Sequence, residues 1–178
     1  LGADVSGDNS VAIGSNALQA QTGTDGDVYN VAVGANAGFS VTTGIQNTLI
    51  GGLAGDLLTD ADYNVAVGVS ALGADTLGSK STAIGYSALT AQNFTSATDS
   101  FNTAVGYGAG VAVTTGIRNT LIGGLAGDAI TDGNYNVALG YASLSANTTA
   151  SNNTAVGLSS LASTTTGAGN VALGSTAL

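Results

Sequence analysis

Ser10-Val-Ala-Ile-Gly14, Asn30-Val-Ala-Val-Gly34 and Asn47-Thr-Leu-Ile-Gly51 begin a series of ten five-residue cores that continues at Asn64, Ser81, Asn102, Asn119, Asn136, Asn153 and Asn170. The closing glycines are Gly14, Gly34, Gly51, Gly68, Gly85, Gly106, Gly123, Gly140, Gly157 and Gly174. Seven of the nine intervals between them equal the one from Gly34 to Gly51, a 17-residue step, and the two exceptions run from Gly14 to Gly34 and from Gly85 to Gly106. Self-similarity at a fixed short period is the mark of a solenoid, in which each repeat buries its apolar side against its neighbours. A longer period lies on top: residues 41–68 match residues 113–140 at 22 of 28 positions with an offset of 72, equal to one 21-residue and three 17-residue steps. The chain therefore reads as one repeat domain over residues 1–178, with coils starting near 10, 30, 47, 64, 81, 102, 119, 136, 153 and 170 and a duplicated four-coil block.

Each core position has a physical reading. Val, Ile and Thr at positions 2 and 4 favour strands. The glycine at position 5 suits a strand end that needs positive φ or close approach. Stacked Asn30, Asn47, Asn64, Asn102, Asn119, Asn136, Asn153 and Asn170 predict an internal amide ladder. Side chains alternate between the faces of a strand, which separates positions 2 and 4 from positions 1, 3 and 5. The branched face is expected to be the coil's core. The small face, carrying Ala12, Ala32, Ala66, Ala83, Ala104, Ala138, Ala155 and Ala172 with Leu49 and Leu121 between them, is expected to approach a neighbouring subunit closely, because a 17-residue coil is thin. Enlarging Ala104 or Ala155 would then disrupt assembly before coil formation. Residues after the glycine, as in Asn16-Ala17-Leu18 and Ser87-Ala88-Leu89, read as a second, shorter strand, and the remaining Thr, Asp, Asn and Gly read as turns. The fold class is all-β, a parallel β-solenoid of about ten coils, roughly 48 Å long at ~4.8 Å per coil. No capping repeat is recognisable, so the domain reads as a segment of a longer fibre.

Composition removes several functions. The chain is 44% hydrophobic and 7% charged, with 28 Gly and no Cys, Met, Trp, Pro or His. All 11 acidic residues are Asp, the only cations are Lys80 and Arg118, and the net charge is −9. Nothing is available to neutralise phosphates, so no nucleic acid is expected as a partner. No apolar run reaches the ~18 residues of a membrane span, so direct membrane insertion is not expected either.

The stretch Asn9-Ser-Val-Ala-Ile-Gly-Ser-Asn16 closely resembles the head repeat of YadA-like trimeric autotransporter adhesins. The 17-residue variants, such as Asn102-Thr-Ala-Val-Gly-Tyr-Gly-Ala-Gly110 and Asn153-Thr-Ala-Val-Gly157, are similar to repeats of phage tail fibres and of large bacterial surface proteins. The resemblance covers about residues 10–178, although the typical adhesin head coil is shorter than the coils of this chain. It implies a left-handed parallel β-roll whose three chains pack side by side as a lateral homotrimer, with branched residues inside each roll and small ones between rolls. It also implies a structural and adhesive role in an extracellular fibre at a cell surface, or in a virion tail fibre. The partners would be further copies of the chain and a host-cell surface, a prey-cell surface or an extracellular ligand.

Catalysis has little material. Without His or Cys, triad chemistry is excluded, and the close carboxylate pairs Asp25 with Asp27 and Asp60 with Asp62 read as solvated turn residues rather than a glycosidase pair. No enzyme activity and no cofactor are expected. The same four aspartates are weak calcium candidates, since Gly51–Asp56 and Gly123–Asp128 depart from the Gly-Gly-x-Gly-x-Asp order of calcium-binding solenoids. Tyr29, Tyr63, Phe101 and Tyr135 precede core strands, and Tyr86, Tyr107 and Tyr141 follow core glycines. These are read as aromatic stacks on the coil corners. Surface recognition, if any, is expected at Tyr86, Tyr107 and Tyr141 and at the longer loops 19–28 and 90–100. Clustered Thr42-Thr43, Thr114-Thr115, Thr148-Thr149 and Thr164–Thr166 raise an ice-binding solenoid as a further reading, with the threonines skipping some coils.

Overall fold

A computed structural model describes residues 7–22 and 26–178. The described residues contain no helix and form a parallel β-solenoid. Ten three-residue strands make one continuous sheet: Val11–Ile13, Val31–Val33, Thr48–Ile50, Val65–Val67, Thr82–Ile84, Thr103–Val105, Thr120–Ile122, Val137–Leu139, Thr154–Val156 and Val171–Leu173. Each pairs in register with the next, so that Ala83, Ala104 and Leu121 stand in one column. The register survives both long steps, with Val11 opposite Val31 and Thr82 opposite Thr103. Beside the long steps lie two-residue parallel pairs, Gly7–Asp8 with Gly26–Asp27 and Gly78–Ser79 with Thr98–Asp99.

The orientation of these strands is opposite to that expected. Ala32, Ala66, Ala83, Ala104, Ala138 and Ala155 are completely buried inside the single chain, Ala172 nearly so, and Ala12 is partly buried in the first coil. The branched residues at positions 2 and 4 face outward instead. The Ala column is therefore the coil's own core and not an interface. The cause is the asparagine column. Asn30 Oδ1 accepts the backbone N–H of Asn47 (2.8 Å), and Asn47 Oδ1 accepts that of Asn64 (3.0 Å). The amide nitrogens meanwhile donate to the backbone carbonyl fourteen residues on, near the end of the same coil, Asn30 to Gly44 (2.7 Å) and Asn47 to Ala61 (2.8 Å), while that of Asn153 is buried without a partner. The pattern repeats through Asn102, Asn119 and Asn136. A side chain that serves two coils' backbones must point inward, and strand alternation then carries position 3 inward with it.

The interior is narrow, and its volume is shared between facing columns. Opposite the Ala column stands position 9, with Leu18, Leu72, Leu89, Leu144 and Leu161 fully or almost fully buried. Where position 3 enlarges to Leu49 or Leu121, position 9 shrinks to glycine in that coil and the preceding one. A Cβ on Gly38 or Gly110 would lie 2.7 Å from Leu49 or Leu121, and one on Gly55 or Gly127 would lie 2.8 Å away. This exchange of volume repeats every four coils, so the 72-residue period is a period of core packing.

The two serines at position 1 are part of the same logic, because both occur in the long coils. Gln92 Nε2 donates to Ser81 Oγ (2.8 Å), and Asn102 of the next coil donates to Gln92 Oε1 (2.8 Å). Gln21 makes the same pair of contacts with Ser10 and Asn30. The shorter hydroxyl makes room for a buried glutamine that carries the polar ladder past the insertion.

The segment after the glycine is not a strand. Positions 7 and 9 both have positive φ, as in Ser87 (54°) and Leu89 (50°), and the chain there runs through turns. Two left-handed residues within three bend it around the coil more tightly than an extended strand could.

Replacing Asn119 with Ala is expected to leave the N–H of Asn136 and the carbonyl of Gly133 buried without partners. A loss of about 2–4 kcal/mol follows from two orphaned buried groups. Urea denaturation followed by circular dichroism measures it.

Candidate functional site

With the Ala and Asn columns inside, the exposed surface of the sheet carries two rows of branched side chains. One row is Val or Thr and the other is Ile, Val or Leu, from Val11 and Ile13 in the first coil to Val171 and Leu173 in the tenth. Ile13, Ile50, Ile84, Val137 and Leu139 are all exposed, Ile13 at 59%. Ten coils at ~4.8 Å and a width of roughly 20 Å, including both rims, give on the order of 1,000 Å² of flat surface. Isolated exposed apolar residues are ordinary, whereas a row of branched side chains running the whole length of a sheet is not. The amide ladder could have exposed it at the level of sequence. An asparagine inside and an alanine on the same strand face cannot point to opposite sides.

Tyr86, Tyr107 and Tyr141 stand directly after the core glycines on one rim and are 54%, 63% and 56% exposed. Tyr86 and Tyr107 stack at 5.4 Å between centroids with planes 9° apart. Each of these two rings uses one face against the other. Tyr29, Tyr63, Phe101 and Tyr135 form the other rim, one residue before the Asn column, each with φ between 51° and 59°.

The aspartates singled out as calcium candidates do not gather. Asp27 accepts from Asn9 (2.5 Å) and Tyr29 (2.7 Å), Asp60 accepts from Thr43 (2.5 Å), and Asp62 accepts the N–H of Ile45 (2.8 Å). Asp25 lies outside the described residues. Among the described residues no group of three or more acidic side chains could hold a metal ion. No helix long and apolar enough to cross a membrane occurs among them either.

The threonines do not skip coils once the register is known. Thr22, Thr42, Thr59, Thr76, Thr114, Thr131, Thr148 and Thr165 share one column, interrupted only by Asn93. Hydroxyls in it donate to the next coil's carbonyl, as Thr42 does to Thr59 (3.2 Å) and Thr114 to Thr131 (3.1 Å). This column runs beside the coil turns and reinforces the stack.

Asp56 and Asp128, equivalent across the 72-residue period, have carboxyls pushed above the ordinary value near 3.8 by partial burial, against the lowering effect of backbone hydrogen bonds. Asp128 Oδ1 is buried without a hydrogen-bond partner. A raised folded-state pKa means that the folded chain binds the proton more tightly than the unfolded one. Its contribution to stability is complete below the unfolded value and is lost as pH rises through the folded value. Asp128→Asn is expected to stabilise the protein at pH 7 by a few tenths of a kcal/mol, on the order expected for a largely solvent-screened group, and to have little effect near pH 3. Thermal melts at both pH values check this.

No protein family, curated protein or solved structure matches the chain.

Proposed function

We propose that this chain is a structural and adhesive segment of an extracellular fibre, in which three parallel copies bury their outward aliphatic faces against one another. The observation that carries the reading is the continuous outward stripe of branched side chains from Val11 and Ile13 to Val171 and Leu173, exposed at its ends and half-buried to exposed between them. A flat parallel sheet with a hydrophobic outer face needs a cover, and a second and third copy of a straight rod supply one along its whole length. The rest of the surface is weakly charged and repetitive, which suits a spacer that extends from a cell or virion and touches surfaces through its loops and rims. The resemblance to adhesin head repeats supports a left-handed roll, three-fold assembly and a bacterial surface, and a tail-fibre shaft would rely on the same packing. The absence of His and Cys from the chain and the engagement of Asp27, Asp60 and Asp62 in hydrogen bonds within the coil stack favour a non-catalytic role.

Light scattering behind size exclusion is expected to give three times the 17.0 kDa chain mass. The double variant Ile84→Asp, Val105→Asp is expected to be monomeric with an unchanged β-sheet spectrum, because both side chains point away from the coil interior. A wild-type monomer, or a trimer indifferent to these charges, would sink the reading.

Ice binding is the second reading, favoured by Thr82, Thr103 and Thr120 in three successive coils of the outward face, with Thr48 and Thr154 in the same row beyond Val65 and Val137. Thermal hysteresis from a monomeric sample would place it ahead of assembly.

A further inference from the structure

Both cations of the chain stand on one rim of the outward face. Lys80 and Arg118 occupy the last position of their coils and alternate with Tyr63, Phe101 and Tyr135. Lys80 Nζ lies 5.4 Å from the Phe101 ring centroid, and the Arg118 guanidinium lies 5.9 Å from Phe101 and 5.4 Å from Tyr135. Arg118 also donates to the Tyr135 hydroxyl, and Lys80 pairs with Asp99 at 2.5 Å. The rings of Phe101 and Tyr135 are therefore engaged by the cations of their own column, and what this stretch offers outward is N–H donors and ring edges. Lys80, Phe101, Arg118 and Tyr135 all have φ between 51° and 62°, which turns the column out of the coil wall in the same way at each level.

The opposite rim carries Tyr86, Tyr107, Gly124 and Tyr141 in successive coils. Its stacked rings offer phenolic oxygens and edges. At Gly124 the row has a gap, and Tyr141 leans toward it, since a Cβ on Gly124 would meet Tyr141 Cδ2 at 3.4 Å.

We propose that these two rims pair with each other between neighbouring copies of this chain and set the register of the assembly. The inference rests on the lateral association proposed above. Closed cyclic symmetry about an axis along the solenoid is heterologous: it brings one rim of each copy against the other rim of the next, with equivalent coils at equal height. Lys80 then faces Tyr86, Phe101 faces Tyr107, and Tyr135 faces Tyr141. Arg118, the longest side chain of its column, faces Gly124, where its guanidinium enters the gap between two phenols. Donors meet acceptors, and the bulkiest group meets the residue without a side chain. A slip of one coil would set Arg118 against Tyr107 or Tyr141 and leave the gap empty, so the pairing selects one register where the aliphatic stripe, being nearly uniform, selects none.

The chain contains no cysteine, which allows a direct test. Phe101→Cys and Tyr107→Cys are introduced together. The strand Thr103–Val105 lies between them, so within one chain they are roughly 20 Å apart, far beyond the ~7 Å Cα separation that a disulfide spans. Mild oxidation is expected to yield a covalent trimer on a non-reducing denaturing gel, while each single variant stays uncross-linked. The pair Phe101→Cys with Tyr141→Cys, two coils out of register, is expected not to link. A trimer by light scattering in which the 101–107 pair fails to cross-link overturns the rim pairing and leaves lateral assembly standing. Preferential linking of the 101–141 pair overturns the register. Dimers from either single variant show that like rims meet, which also overturns it. A monomer overturns both readings.

Discussion

Replacing Ala104 with phenylalanine is expected to destroy the coil and not merely the contacts between chains. Ala104 is fully buried in its own chain, in register with Ala83 on one side and Leu121 on the other. The interior across from it is already filled by Leu89 of the preceding coil and by Leu121, which occupies the space left at Gly110, and adjacent strands stand only ~4.8 Å apart. A benzyl group has no rotamer there that avoids both walls, so the penalty should exceed the ~1–3 kcal/mol of ordinary overpacking, at more than about 4 kcal/mol. A solenoid is close to a one-dimensional array, so a defect in the fifth-to-sixth coil junction also uncouples the blocks on either side. The expected readout is loss of a single cooperative urea transition and a lower sheet signal at every protein concentration. An Ala104→Phe chain that keeps its wild-type melt and loses only oligomeric mass would show that the Ala column lies between chains after all.

The second large effect is expected at Gly106. Its φ is +139°, and a Cβ added there would sit 2.5 Å from the carbonyl oxygen of Gly123 and 2.6 Å from its carbon. Both are backbone atoms of the adjoining coil, so relief requires the stack to open. Gly106→Ala is expected to cost about 3–5 kcal/mol, combining an unfavourable backbone conformation with a clash that cannot be relieved locally. Gly174 separates the two contributions. It has φ +123°, but nothing lies within 4 Å of its added Cβ, so Gly174→Ala should cost only the conformational part, about 1–2 kcal/mol. Equal destabilisation at the two sites would mean that close approach between coils plays no part in the glycine column. Chemical denaturation of the two variants side by side makes the comparison.

Three features of the fold follow from the sequence alone: the number of coils, their register and the parallel arrangement. A short core that returns at a fixed period cannot bury its apolar side except by stacking on copies of itself, and the ten glycines from Gly14 to Gly174 fix where each coil begins. The two longer steps do not disturb this reading, because extra residues in a solenoid leave the wall as loops at modest entropic cost. The inward asparagine column is legible for the same reason, since an amide that recurs once per coil has its donor and acceptor spaced to serve the coils above and below.

The asparagine column and the hydrophobic pattern point the strands in opposite directions, and the tertiary structure decided between them. Hydrophobicity assigns Val31 and Val33 to the interior and Ala32 to the outside, and the reverse holds. Burial in so short a coil is limited by cross-section and not by apolar content. Asn30 fills part of the interior in reaching the carbonyl of Gly44, Leu residues at position 9 fill the facing wall, and an alanine is what remains room for. The same limit explains why the partnership of Leu49 with Gly38 and Gly55 was invisible until the coils were stacked: Leu49 meets a glycine of its own coil and one of the coil before only when the chain closes its turn. The larger, branched residues are left outside, and the surface they form is the one on which the proposed association between copies rests.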